Sequence, residues 1–338
     1  MASSSCGTNS FHVLETMKKG LSHVILFVLL FVVPPSSLCF TGKGANAIRE
    51  SILAGSWYPG APQDLRAQLS LFFANVSPIA QISGKILGLI VPHAGYRYSG
   101  QVAAHAYKCI KGMNIRRVIL IGPSHRIPFR GISVNMVKGY RTPLGVVPVD
   151  QDFGRSLMEY HPAIKWVRAA HRVEHSLEIQ LPFLQSVLED FKIVPIVMGV
   201  QDLGTCSILA KGLSQLMEAT IKTHGRELGP PGDTLLVAST DLSHYHCYDR
   251  AVTMDTIFIK HVEKMDPHGL YGALANGKCE ACGGGAVVSL LLSLKALGAR
   301  PIILKYANSG DVTGEKESVV GYMASVIVMS SDRDLHQK

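Results

Sequence analysis

Five side chains suited to metal or proton chemistry stand where apolar runs break off. His93 follows the run from Lys85 to Val91, and His125 follows Arg117 to Pro123. Asp241 and His244 follow Thr234 to Ser239, while Cys282 precedes three glycines, Gly283 to Gly285, and the apolar stretch Ala286 to Leu292. Imidazole nitrogen and thiolate sulfur are ligands for transition metals. An imidazole with an ordinary pKa of about 6.5 can also take and give a proton near neutrality, which makes His244, with Asp241 beside it, a candidate acid/base residue. Each has a plainer reading. A histidine past a strand end can cap a helix or bond a carbonyl, and Cys279 with Cys282 can form a local disulfide or redox pair.

The elements that must position these groups are legible in outline. Short, continuously apolar runs bounded by Gly and Pro read as strands buried on both faces, and open α/β sheets bind ligands beyond the carboxyl ends of their strands. Three strands releasing into His or Asp therefore imply one polar crevice. The glycines after Cys282 lead into an apolar helix, whose positive N-terminal dipole favours the thiolate. Leu65, Leu69, Phe72, Phe73 and Val76 form a core-facing helical stripe behind Pro62, and Tyr98 to Tyr107 reads as a helix in which His105 is structural. Glu174 to Pro182 reads as the opening of a helix with His175 and Glu178 on one face. That pair is either a carboxylate orienting a metal-bound imidazole or a solvated capping turn. Trp57, Tyr58 and Tyr96 lie among turn residues and are candidate walls of the crevice, though Trp57 can equally pack against the body.

Further strands are expected at Val146 to Val149 and Lys192 to Gly199, and a helix at Asp202 to Met217. Lys305 to Asp311 reads as a polar loop, and Ser318 to Met329 as a last strand that could close the sheet edge. Strands alternating with helices indicate an α/β fold with a central, mostly parallel or mixed sheet.

Residues 1 to 47 read as a targeting segment. Met17, Lys18 and Lys19 supply a cationic start, Val24 to Val33 an apolar core, and Ala45-Asn46-Ala47 a small-residue cleavage pattern. The pattern fits best with translation starting at Met17. A cleaved segment implies an exported, periplasmic or extracytoplasmic protein, and an uncleaved one a membrane anchor. Of 338 residues, 291 remain after residue 47, near the upper limit for one hydrophobic core, so residues 48–330 read as one domain with a polar tail at 331–338. The net charge of +8 is scattered rather than clustered, which excludes a nucleic-acid footprint. Seven cysteines at irregular spacing are no disulfide framework. Ser124 beside His125 and Ser243 beside His244 are neighbours in sequence, and adjacency does not supply the geometry acyl transfer needs.

Six ordered motifs carry a family resemblance: Pro92-His93-Ala94-Gly95-Tyr96, Gly122-Pro123-Ser124-His125, Glu174-His175-Ser176-Leu177-Glu178, Ser239 to His244, Cys282-Gly283 and Tyr306 to Asp311. Together they resemble the Memo (mediator of cell motility) family over about residues 50 to 330, including its AmmeMemoRadiSam system protein B members. The resemblance implies a single three-layer α/β/α domain similar to the class III extradiol dioxygenases. It implies a mononuclear metal held at His93, His125 and Cys282, with Asp241 and His244 lining the cleft, and functional association with a radical-SAM protein and an AMMECR-type protein. A cysteine ligand shifts the expected ion toward iron or copper. Two functions follow as expectations: a non-haem, dioxygenase-like oxidoreductase of unknown substrate, or a crevice that holds a metal, a small molecule or a peptide without turnover.

Overall fold

A strand whose consecutive residues are all apolar has no face to give to water, so it belongs in a sheet covered on both sides. The computed structural model, which describes residues 44–77, 82–222 and 233–329, meets that condition. The targeting reading before residue 44 and the polar tail at 331–338 lie outside the described residues.

In chain order the elements are β1 (Ile48–Arg49), α1 (Pro62–Ala74), β2 (Lys85–Val91), α2 (Tyr96–Cys109), β3 (Arg117–Pro123), β4 (Ile132–Val134), β5 (Gly139–Thr142) and β6 (Gly145–Pro148). Then come α3 (Gln151–Tyr160), β7 (Ile164–Lys165), α4 (Arg168–Arg172), α5 (Leu181–Val187), β8 (Lys192–Met198), α6 (Leu203–Lys222), β9 (Thr234–Ser239) and β10 (His244–His246). The chain continues with α7 (Tyr248–Glu263), α8 (Pro267–Ala275), α9 (Gly284–Lys295), β11 (Ala299–Asn308), α10 (Ser309–Thr313) and β12 (Val319–Met329).

Among the described residues, nine strands form the main sheet. Its centre is parallel, in the order β2, β9, β3, β8. Antiparallel strands flank it: β12 beside β2, with β10 and β11 on β12, and β4 beside β8. The sheet is therefore mixed, and the α/β fold class read from the pattern is the one observed. Alternation along β3 shows how the layers are built. Val118 and Leu120 join one apolar cluster with residues of α1, α2 and α5, whereas Ile119 and Ile121 join a second with residues of α3 and α6 to α9. β9 repeats the division, with Leu235 and Val237 on the first side and Leu236 and Ala238 on the second. Each Val, Leu or Ile so buried contributes about 1.5–3 kcal/mol, so helices cover both faces of the sheet.

β2, β9 and β3 are neighbours and run in one direction, so their carboxyl ends share a rim. The segments that follow them carry His93, Asp241 and His125. Sheet order thus brings together residues separated by more than a hundred positions.

Three local expectations are corrected. Glu174 to Leu177 is not helical: a short turn at Glu178–Gln180 precedes α5. The Glu174 carboxylate accepts the backbone N–H groups of His175 and Ser176, each at 2.9 Å, and such local bonding competes with a helix. Lys305 to Asp311 is not a loop, because β11 runs to Asn308 and α10 starts at Ser309 behind a capping box of Asn308 and Asp311. The turn-forming residues there are caps. The last strand, β12, lies inside the sheet between β2 and β11, in keeping with a run buried along most of its length. β6 joins β5 and β1 in a separate three-stranded sheet. No helix among the described residues is long and apolar enough to cross a membrane.

Candidate metal centre

His93 lies beneath the rim, buried, with its backbone N–H and that of Ala94 donating to Asp241 Oδ1 at 2.7 and 3.3 Å. Its ring spans two partners: Nδ1 lies 3.0 Å from Ser239 Oγ, and Nε2 lies 3.1 Å from Cys282 Sγ. Cys282 sits just before Gly283, the N-cap of α9. The backbone N–H of Asp241 points at its sulfur from 3.3 Å, and Gln201 Nε2 donates to its carbonyl at 2.8 Å. Gly283 has to be glycine, since a Cβ there would meet the Ser239 carbonyl oxygen at 2.3 Å.

His125 is fixed by Glu174. The carboxylate accepts His125 Nδ1–H at 2.8 Å and the His125 backbone N–H at 2.7 Å, which leaves Nε2 free. Burial opposes the charge on Glu174, but the His125 ring and the surrounding N–H donors outweigh it and hold the pKa down at about 2. The rings of His93 and His125 meet edge to face at 5.1 Å. His175 stacks on His125 at 4.3 Å, and Trp57 packs on His175 at 4.7 Å.

Donor atoms of His93, His125 and Cys282 all lie within 4.8 Å of one another. Bonds of about 2.0 Å to nitrogen and 2.3 Å to sulfur place a nitrogen and a sulfur on one ion about 3.0 to 3.7 Å apart, and two nitrogens about 2.8 to 3.5 Å, for angles between a right angle and a trigonal one. Two imidazoles, each with a second nitrogen engaged elsewhere, and one thiol are a donor set that fits a late transition metal. His125, Glu174 and His175 meet the same distance criterion. Their chemistry points elsewhere, because the Glu174 oxygens are already taken by N–H groups of His125, His175 and Ser176. Glu174 supports His125.

Electrostatics follow from burial. Desolvation lowers the His93 pKa well below its ordinary value, and the neighbouring imidazoles of His125 and His175 add to the effect. Burial also lowers His175, to about 4, and pushes the Cys282 thiol well up, with Asp241 the next cause. The helix dipole expected to favour thiolate is thus outweighed by desolvation. Burial brings the Asp241 carboxyl up to about 7 against the opposing N–H bonds from His93 and Ala94. Burial lowers His244, while its bond to the Leu242 carbonyl acts in the other direction. A charge on His125 lowers His244 further.

Several expected residues stand elsewhere. Glu178 does not face His175. It is fully buried and accepts from Arg49 Nη1 at 2.6 Å, Ser51 Oγ at 2.6 Å, Tyr58 Oη at 2.8 Å and the N–H groups of Ile52 and Leu53. Arg49 also donates to the carbonyls of His171 and Glu174, so this ion pair ties the start of the domain to the segment that carries Glu174. Tyr58 and Tyr96 are core residues rather than crevice walls, and the Tyr96 hydroxyl donates to the Ile179 carbonyl. Trp57 alone of the three meets the cluster, through His175. Cys279 and Cys282 are both free thiols. Sequence reasoning missed Glu174, Ser239 and Gln180. Glu174 was in plain view, immediately before His175, but a helical reading gave the role to Glu178.

Residues 49–326 match the family model described as Memo-like protein. A MEMO1 family protein of Sulfolobus acidocaldarius is 36% identical over 291 residues, covering 82% of this chain and 98% of the relative. Another, from Methanothermobacter thermautotrophicus, is 34% identical over 282 residues, covering 81% and 98%. A third, from Methanocaldococcus jannaschii, is 35% identical over 296 residues, covering 83% and 99%.

Proposed function

The chain belongs to the Memo family, and from that premise and the geometry of the rim we propose that it is a mononuclear metal protein, a redox-capable, dioxygenase-like oxidoreductase built on His93, His125 and Cys282. The observation that carries the reading is that three donor atoms from three separate parts of the chain lie within 4.8 Å of one another at the carboxyl ends of parallel strands. Two imidazoles and a thiolate suit iron or copper, and such an ion would supply one-electron redox chemistry and an open position for a ligand. Burial keeps the Cys282 proton on, so a cation that displaces it adds its own binding energy to the fold.

The remaining roles belong to the chain. Asp241 has one oxygen tied to the backbone of His93 and Ala94, and its carboxyl near pH 7 can hold or release a proton at the other. His244, whose pKa burial lowers from its ordinary value, supplies the imidazole for proton transfer beside it. His175 stacks against the His125 ring and Trp57 packs behind His175, while His125 itself remains open to solvent.

Oxygen uptake by purified protein loaded with iron(II) or copper(I), compared with the same ion alone, tests this reading. Uptake above the free ion that is lost in His244→Ala with metal still bound supports it. Metal bound without uptake leaves a binding protein, and no metal bound overturns the reading.

A further inference from the structure

A chain of buried polar groups lies behind His93, and counting its hydrogens leads to one assignment. Ser239 Oγ has one hydrogen and two acceptor positions. Its neighbours are Gln180 Nε2 at 2.8 Å, the Ser176 carbonyl at 2.7 Å and His93 Nδ1 at 3.0 Å. Gln180 cannot be turned over. Its amide nitrogen also faces the Pro92 carbonyl at 2.9 Å, which only accepts, while its oxygen receives the Tyr107 hydroxyl at 2.9 Å. Gln180 therefore donates to Ser239. The Ser176 carbonyl carries no hydrogen, so the shortest contact of the three requires the Ser239 hydroxyl to donate there. Sent to His93 instead, that hydrogen would leave two oxygens facing each other at 2.7 Å in a fully buried place. Both remaining contacts of Ser239 Oγ are then accepted bonds, and the proton between Ser239 and His93 belongs to His93.

We propose that Ser239 is a positioning residue that holds His93 in its Nδ1–H tautomer, so that the Nε2 lone pair faces Cys282 Sγ. The inference rests on the reading of His93 as a metal ligand for its consequence, though not for the tautomer itself. It accounts for the 3.1 Å contact between Nε2 and Cys282, where the thiol is the donor. It also unites the two imidazoles. Glu174 sets His125 directly and Ser176, two residues later, sets His93 through Ser239, so one short segment fixes both rings.

The test is nitrogen-15 NMR of histidine-labelled full-length protein, comparing wild type, Ser239→Ala and Ser239→Thr, with copper(I) affinity measured on the same samples. Wild type should show a protonated Nδ1 for His93 with or without copper, and an unprotonated Nε2 that is bare without copper and shifts on ligation when copper is added. Ser239→Ala should lose that signature and bind copper(I) roughly 10- to 100-fold more weakly, while Ser239→Thr, which keeps the hydroxyl, restores both. A protonated Nε2 in wild type, or an unchanged tautomer in a folded Ser239→Ala protein, overturns the proposal. A wild type that shows the expected tautomer but binds neither copper(I) nor iron(II) upholds the assignment and defeats the metal reading instead.

Discussion

Replacing Glu174 by glutamine tests the support beneath His125 with almost no change of shape. The carboxylate receives four N–H groups between 2.7 and 2.9 Å, from the His125 ring and from the backbone of His125, His175 and Ser176. Burial works against the charge, and these donors reverse the effect, taking the pKa from 4.5 to about 2. That drop corresponds to roughly 3 kcal/mol of preference for the charged acceptor over the neutral acid. An amide is neutral and turns an NH2 group toward one of the donors. Glu174→Gln should therefore lower unfolding stability by about 3 kcal/mol at pH 7 and weaken copper(I) binding by roughly 10- to 100-fold. Because the folded pKa lies below the unfolded one, the carboxylate's contribution is fully present above pH about 4.5 and is lost as pH falls toward about 2. Urea unfolding of the metal-free proteins at pH 7 and pH 3.5 provides the assay, with the gap between wild type and variant narrowing by about 1.4 kcal/mol at the lower pH. A gap below about 1 kcal/mol at pH 7, or one that does not change with pH, would refute the reasoning.

Three further outcomes are expected. Arg49→Met leaves the fully buried Glu178 without its cation and should lower stability by about 3–5 kcal/mol in denaturant unfolding, with weaker metal binding because Arg49 also holds the Glu174 carbonyl. Gly122→Ala puts a Cβ at 2.5 Å from Ser176 Oγ and 2.9 Å from a Leu177 methyl group, both on the segment that fixes the imidazoles, and should cost about 1–3 kcal/mol and reduce metal affinity. Cys279→Ser alters a buried thiol packed in the second apolar cluster and should lower the melting temperature while leaving metal stoichiometry unchanged; loss of metal would move the ligand assignment from Cys282 to its neighbour.

The parts of the molecule legible in the sequence are those where a single local rule decides. Unbroken apolar runs such as Val118 to Ile121 can only be strands covered on both sides, and a polar residue just past such a run can only lie at the rim. His93, His125 and Asp241 were readable on that basis, and Cys282 from its place ahead of the glycines that open an apolar helix. Glu174 was not, because its role comes from bonding two N–H groups of its own segment, which abolished the helix that spacing predicted. Ser239 and Gln180 are polar residues closing or interrupting apolar stretches, and that conflict was the available signal. Tyr58 and Tyr96 were misplaced because turn residues say where the chain bends and nothing about which side the ring faces. Both hydroxyls end on buried acceptors, Glu178 and the Ile179 carbonyl, that lie more than eighty residues away.

Elemental analysis of the full-length protein, prepared without chelators or an affinity-tag polyhistidine, tests the His93, His125 and Cys282 centre most directly. The account predicts one iron or copper per chain in wild type and none in a folded Cys282→Ser variant. Stoichiometric metal that survives the loss of Cys282, or a wild type that takes up neither ion when supplied with it, would contradict the account.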